Sequence, residues 1–319
     1  MFISHWENEK NWTDGKLIPF GNISMSPAAG VLNYGQGIFE GMKAFRTIEN
    51  RIVLFRPDKN IERATLSAER LCIPIVPFDL FMDGLLKVVK DNSDFIPPSD
   101  KGSLYIRPII WGTGAVLGVG PAPSYTFLIY VSPVGPYFKS GIRCLNMRVT
   151  KNFHRAAPRG VGNFKTIGNY AASLYPQKLA KSSGFDEVIY LNAGDNESIE
   201  EVGSANLFIV KDKTVLTPPL GGTILPGVTR DSVIHISREI LGLDVEERPI
   251  SLSEMMEADE VFCTGTAVSV TPIGEITSDD SVSIINGNKI GNITLTLNTE
   301  LTDIQKEIKD DPFGWLIQV

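Results

Sequence analysis

The residue in this chain with the clearest capacity for chemistry is Lys165. It stands in Gly160-Val161-Gly162-Asn163-Phe164-Lys165-Thr166-Ile167-Gly168-Asn169-Tyr170, a glycine-dense stretch with apolar neighbours on both sides. Desolvation among Val161, Phe164 and Ile167 favours a neutral amine, the form that makes Schiff bases with carbonyl compounds. Taken alone, the segment reads more simply as a loop carrying a solvated lysine. Two nucleotide patterns fail. A phosphate loop needs glycine directly before its lysine, and Phe164 occupies that place. Gly118-Val119-Gly120 is too short for a dinucleotide fingerprint and runs into Pro121. The three histidines (His5, His154, His235) and three cysteines (Cys72, Cys144, Cys263) are scattered, so neither a metal site nor a disulfide framework is expected.

The elements that must position these residues mix both types. Helical spacing predicts helices over Asn60–Cys72, Asp79–Lys90, Asn169–Lys181 and Thr229–Leu241, the last stopped by Gly242. Strands are expected over Leu104–Ile110, Tyr125–Val131, Glu187–Asn192, Ala205–Lys211 and Val261–Cys263. Ser251 and Glu254 have the spacing of a capping box, which predicts a short helix from Leu252. Ile285-Asn286-Gly287-Asn288-Lys289-Ile290 reads as a hairpin turn. Prolines and glycines in Ser132–Gly141 argue against regular structure and mark a linker. The expected division is an N-terminal domain over residues 1–132, a linker over 133–141 and a larger domain over 142–319. Because strands and helices interleave without strict alternation, the fold class expected is α+β, a mixed α/β protein of two domains.

Composition narrows the partners. Apolar residues make up 43% of the 319 and charged residues 21%, enough for two cores. A net charge of −7 repels phosphate backbones and anionic lipid, so neither nucleic acid nor membrane is an expected partner. With no 18-residue apolar run and no signal-like start in Met1–Lys10, the cytoplasm is the expected location.

Several motifs, in order, carry a resemblance over nearly the whole chain. Gly160–Tyr170, Glu201-Val-Gly-Ser-Ala-Asn-Leu-Phe208 and Leu225-Pro-Gly-Val-Thr-Arg230 resemble the fold-type IV pyridoxal-5'-phosphate (PLP) enzymes, whose fold is that of the D-amino acid aminotransferases. Gly37-Ile-Phe-Glu-Gly-Met-Lys-Ala-Phe45 is similar to the branched-chain amino acid aminotransferases within them. Leu104-Tyr-Ile-Arg-Pro108, Gly265-Thr-Ala267 and the tail around Ile304-Gln305 and Trp315 agree. The resemblance implies an active site at the domain interface, a homodimer or higher homo-oligomer, and transfer of amino groups between leucine, isoleucine or valine and 2-oxoglutarate, giving 2-oxo acids and glutamate.

It also implies roles. Lys165 would form the Schiff base with PLP. Glu201 would face the pyridine nitrogen and keep it protonated, although alone it reads as a surface charge in an acidic stretch. Leu225, Val228 and Thr229 would form a phosphate cup at a helix N-terminus, completed by Arg63. Tyr170 would meet the ring hydroxyl. Thr266 and Ala267 would hold the substrate α-carboxylate, with Thr266 also reaching the cofactor. Tyr34, Phe39 and Tyr105 would line an apolar side-chain pocket, and Arg107 would accept the distal carboxylate of glutamate. Without the resemblance, each of these is an ordinary core or surface residue. Mammalian members carry Cys-x-x-Cys after Gly-Thr-Ala; Val268 and Thr271 stand there in this chain, so thiol control is not expected. Two other outcomes stay open: a fold-type IV relative such as a D-amino acid aminotransferase or aminodeoxychorismate lyase, and a non-catalytic PLP-binding protein.

Overall fold

Alternation along Ser103–Gly112 sets up the first sheet. Leu104, Ile106 and Ile110 point to one face and are buried there, while Tyr105, Arg107 and Ile109 point to the other. The computed structural model describes residues 1–8, 10–135, 141–279 and 281–319. They form two compact units: Met1–Pro136 with Phe164–Gly168 and Gln305–Val319, and Tyr137–Asn163 with Asn169–Ile304. The expected C-terminal domain therefore lends two pieces to the first unit, one of which carries Lys165.

In the first unit the strands are β1 (Phe2–Glu7), β2 (Asn11–Trp12), β3 (Lys16–Leu17), β4 (Gly37–Phe39), β5 (Met42–Arg46), β6 (Ile52–Phe55), β7 (Ser103–Gly112) and β8 (Ser124–Val134). With the carboxy-terminal strand Leu316–Gln318 they make one nine-stranded sheet. Its central pairs, β5–β7, β7–β8 and β8–β1, are antiparallel. Helices α2 (Pro57–Arg70) and α3 (Phe78–Asp91) follow the short α1 (Gly30–Tyr34). The apolar stripes Ile61-Ala64-Ala68 and Phe81-Leu85-Val88 join Leu104, Ile106 and Phe127 in one core. α2 starts at Pro57, earlier than the expected Asn60, because proline suits the first helical position.

β8 runs on through Ser132, Pro133 and Val134, against the linker expectation. β1 flanks β8 only as far as Ile129, so Pro133 lies where that neighbour has ended and a missing N–H is tolerated. The rest of the expected linker, residues 136–140, lies outside the described residues.

The second unit holds β9 (Leu145–Thr150), β10 (Glu187–Leu191), β11 (Ile199–Val202), β12 (Ala205–Lys211), β13 (Thr214–Thr217), β14 (Val245–Glu247), β15 (Glu260–Gly265), β16 (Ser269–Ser278) and β17 (Ser281–Ile284). The order β11-β10-β9-β16-β15-β12 closes on itself, since β11 also pairs with β12. A six-stranded barrel results. Met147, Val149, Ile189, Leu191, Leu207, Ile209, Val261 and Cys263 form its core. On the outer face Val188 and Tyr190 pack with Ala180, which is why β10 reads as a continuous apolar run rather than an alternating one.

The helix expected over Asn169–Lys181 is two, α4 (Ile167–Ala172) and α5 (Leu174–Ser182), broken at Ser173. Pro176 lies in the first turn of α5, where its missing N–H costs nothing. Thr229–Leu241 is α6 (Val228–His235) continued by a π turn over Ile236–Ile240. α7 (Leu252–Met256) is capped by the Ser251 hydroxyl, which accepts from Glu254 N at 3.1 Å. The Glu254 carboxylate pairs instead with Arg248, at 2.6 and 2.9 Å. The expected hairpin at 285–290 is a correction. Asn286 and Gly287 do make a left-handed turn, but it feeds α8 (Asn292–Gln305). The Glu260 carboxylate accepts from the N–H groups of Ile293 and Thr294, supplying the acidic N-terminus that no neighbour in sequence announces.

Candidate active site

Lys165 is held by its backbone to the first unit. Its N–H donates to Ser67 Oγ at 2.9 Å, and its carbonyl accepts from Phe39 N at 3.2 Å. Ser67 in turn donates to the Arg63 carbonyl one turn back on α2. These bonds place the Lys165 amine 4.8 Å from the centre of the Phe39 ring. The Arg107 guanidinium lies 4.8 Å from the same ring and 5.2 Å from Tyr105, to whose hydroxyl it donates at 3.0 Å. Phe39, Tyr105, Arg107 and Lys165 are thus brought together. A Cβ at Gly41 would sit 2.1 Å from the Tyr105 hydroxyl, so only glycine lets that ring approach.

Arg63 is buried and bidentate on Glu40: Nε donates to Oε1 at 2.9 Å and NH2 to Oε2 at 2.7 Å. Asn60 and the Gly41 N–H add donors to Oε2 at 2.7 and 3.2 Å. Burial pushes the Glu40 carboxyl up, but Arg63 and then the Lys165 ammonium outweigh it and hold the group below the ordinary carboxylate range. Glu40 is a residue that sequence reasoning missed. It sits inside the Gly37–Phe45 motif, yet its partner is a helix away. Lys43, across the sheet from Tyr105, has an ammonium that burial pushes down to about 8. Tyr34 lies apart from this cluster: its hydroxyl accepts from Gly118 N at 2.7 Å on an exposed loop.

In the second unit, cross-strand register builds a row. Glu201 on β11 faces Asn206 on β12, which faces Thr264 on β15. These positions alternate with Val202, Leu207 and Cys263 of the barrel core, so the row lies on the barrel's outer face. Even there Glu201 is only 2% exposed and is no surface charge. Its Oε1 accepts from Asn206 Nδ2 at 3.0 Å, and its Oε2 lies 2.5 Å from an Arg155 nitrogen. The Asn206 amide also donates to the Leu225 carbonyl at 2.9 Å. A Cβ at Gly227 would come within 2.0 Å of Asn206 Oδ1, so glycine is required where the loop crosses the row. Glu201, Tyr170, Leu225 and Arg155 line one small cavity with Asn169, Ser173, Gly203 and Ser204.

The remaining predicted residues of this unit lie at two turns. Val228 and Thr229 open α6, whose Gly227 N-cap offers no side-chain cap, so first-turn N–H groups and the Thr229 hydroxyl suit an anion. Thr266 and Ala267 form the turn between β15 and β16. Beside it, the buried Thr264 and Ser269 hydroxyls have no hydrogen-bond partner among the described residues. Ser269 is held at φ 56, a strained conformation for a non-glycine residue. The Thr271 hydroxyl donates to the Val268 carbonyl at 2.6 Å. A larger cavity in this unit, about 390 Å³, is bordered by Arg148, Lys151, Phe153, Phe185 and Asp279 and includes none of the predicted residues, so size alone would misplace the site. No cluster of metal-ligating side chains occurs among the described residues.

Comparison with known proteins agrees with this geometry. The family model for amino-transferase class IV matches residues 37–276. A chloroplastic branched-chain-amino-acid aminotransferase 5 of Arabidopsis thaliana is 48% identical over 319 residues, covering 100% of this chain and 77% of that protein. The crystal structure of the Escherichia coli branched-chain amino acid aminotransferase superposes with a TM-score of 0.85 at 28% identity, covering 99% of this chain and 98% of that one. The branched-chain aminotransferase of the thermophilic archaeon Thermoproteus uzoniensis, solved with norvaline, superposes with a TM-score of 0.82 at 28% identity over 100% and 99% of the two chains. The chain belongs to the class IV aminotransferases and, within them, to the branched-chain-amino-acid aminotransferase family.

Proposed function

We propose that this protein transfers amino groups between branched-chain L-amino acids and 2-oxoglutarate with PLP as cofactor. The observation that carries the reading is the Phe39–Tyr105–Arg107 group beside Lys165: aromatic walls for a leucine side chain and, within the same cluster, a guanidinium for the distal carboxylate of glutamate. The residues fit the cofactor in kind. There is an amine in Lys165, a buried carboxylate in Glu201 and an uncapped helix start at Val228 and Thr229.

PLP, when bound, supplies an electron sink for charge that develops at the substrate Cα. In this reading Lys165 binds the cofactor and its amine then moves the proton from Cα, as acid and base in turn. Glu201 accepts the ring N–H. Leu225, Val228, Thr229 and Arg63 form the phosphate cup. Tyr170 bonds the ring hydroxyl. Thr266 and Ala267 orient the α-carboxylate through their turn, and Thr266 also reaches the cofactor. Tyr34, apart from that cluster within one chain, would join the pocket of a neighbouring copy. Its hydroxyl sits on the loop of Leu117 and Val119, whose side chains are 98% and 92% exposed. Such an apolar loop suits burial against a second copy, and a homodimer or larger assembly is part of the proposal. So is a cytoplasmic setting, in keeping with three cysteines that form no disulfide.

A donor panel tests the function. Leucine, isoleucine and valine should each yield glutamate from 2-oxoglutarate, while D-alanine should not. Glutamate formed from D-alanine alone would overturn the reading.

A further inference from the structure

Arg155 was not among the residues singled out by sequence, yet its guanidinium is buried against Glu201. Its side chain is 8% exposed, and one nitrogen lies 2.5 Å from Glu201 Oε2. The same NH2 donates to the carbonyl of Gly162 at 3.0 Å and to that of Thr223. Two separate loops thereby fix where the positive charge sits. On the other side of the carboxylate, Asn206 donates to Oε1 at 3.0 Å and is itself anchored on the Leu225 carbonyl. Glu201 thus has a hydrogen bond at Oε1 and the guanidinium charge against Oε2, while still bordering the cavity shared with Tyr170 and Leu225.

A second buried carboxylate stands next to it. Glu200 takes hydrogen bonds from the Thr223 hydroxyl at 2.5 Å and the Asn192 amide at 2.9 Å. Burial pushes its carboxyl up despite those bonds and despite Arg155. The two carboxylates are neighbours in sequence. Arg155 touches the one that fronts the cavity. A protonated Glu201 would lack the negative charge that keeps a pyridine nitrogen protonated, and a charged but unheld one would not be aimed at it.

We propose that Arg155 is a positioning residue that acts through Glu201, holding that carboxylate charged and oriented toward the ring nitrogen of the cofactor. The proposal rests on the PLP reading above. A double-mutant cycle tests it, with R155M, R155K, E201Q and the double variants R155M/E201Q and R155K/E201Q. Two quantities are read in each: the PLP dissociation constant, by titration of the cofactor-free protein, and the rate of the leucine half-reaction. Starting from wild type, R155M should slow the half-reaction about tenfold or more, the loss of one buried ion pair. R155K should recover part of that loss. Starting from E201Q, the Arg155 substitutions should change both quantities by less than about twofold, because the group they act through is gone. Equal fold-losses in both backgrounds would overturn the proposal and make Arg155 a structural residue. If R155M alone does not fold, the R155K arm decides by the same comparison, and the R155M/E201Q protein, which carries neither buried charge, should fold. Failure of the PLP reading looks different: wild type itself would then neither bind PLP nor convert leucine.

Discussion

Each unit of this protein buries a carboxylate against an arginine, and the two pairs are held in different ways. Glu40 takes both donors of Arg63, the Asn60 amide and the Gly41 N–H, and lies within a sheet-and-helix core. Glu201 takes Asn206 on one oxygen and Arg155 on the other, on the outer face of a barrel, at the wall of a cavity. Burial and an arginine partner are common to both, so neither feature marks a working acid. What separates them is the surface each presents. Glu40 shapes the segment that carries Phe39 and Gly41, whereas Glu201 borders a small cavity with Tyr170 and Leu225.

If Glu40 is scaffold and Glu201 serves the reaction, substitutions must separate folding from turnover. The largest effect on rate is expected at Glu201. Glu201→Gln keeps the shape and removes the charge, so the protein should stay folded with PLP bound while transamination slows by orders of magnitude. An unchanged rate would mean that another carboxylate faces the ring. At Glu40 the effect should fall on stability. Glu40→Gln leaves the Arg63 guanidinium buried without its counter-ion, a change that costs about 3–5 kcal/mol. Urea unfolding measures it, and a cost below about 1 kcal/mol would show that the pair is solvated like a surface bridge.

Arg107 sharpens the contrast within the first unit. Arg107→Met removes one charge-assisted bond to a distal carboxylate, so the KM for glutamate and 2-oxoglutarate should rise about tenfold. The leucine half-reaction without any oxo-acid acceptor should change much less. Equal losses in both would make Arg107 a wall of the pocket and no more. At Lys43 the effect shows only against pH. Its folded value near 8 lies below the unfolded value of about 10.4, so the unfolded chain holds more protons between those limits. Stability from this residue should therefore rise as pH climbs from about 8 to about 10.4. Lys43→Met should lack that rise in urea midpoints taken across the window, and an unaltered slope would contradict it.

Much of this was legible in the sequence because it is local. The Ser251 cap, the Val228 helix start and the strand Ala205–Lys211 each follow from spacing within a few residues. Glu201 could be named only through its motif, since its buried state depends on Asn206 across a strand pair and on Arg155 far upstream in the chain. Arg155 stands in an aperiodic stretch and sends no signal of its own. Glu40 lay in view, but its partner Arg63 is set by how α2 packs. The hairpin expected at Ile285–Ile290 failed for the same reason: the turn chemistry was read correctly, while the helix after it is started by Glu260, a residue from another strand.

In the proposed reaction Lys165 carries a PLP-dependent transfer of the leucine amino group. The most direct measurement is a single turnover of the PLP-loaded protein with L-leucine and no oxo-acid acceptor, followed by cofactor absorbance and by analysis of 4-methyl-2-oxopentanoate. Wild type should release one oxo acid per chain as the absorbance bleaches, 2-oxoglutarate should restore the band, and Lys165→Ala should do neither. Release of the oxo acid by Lys165→Ala at the wild-type rate, or none from wild type, would contradict the account.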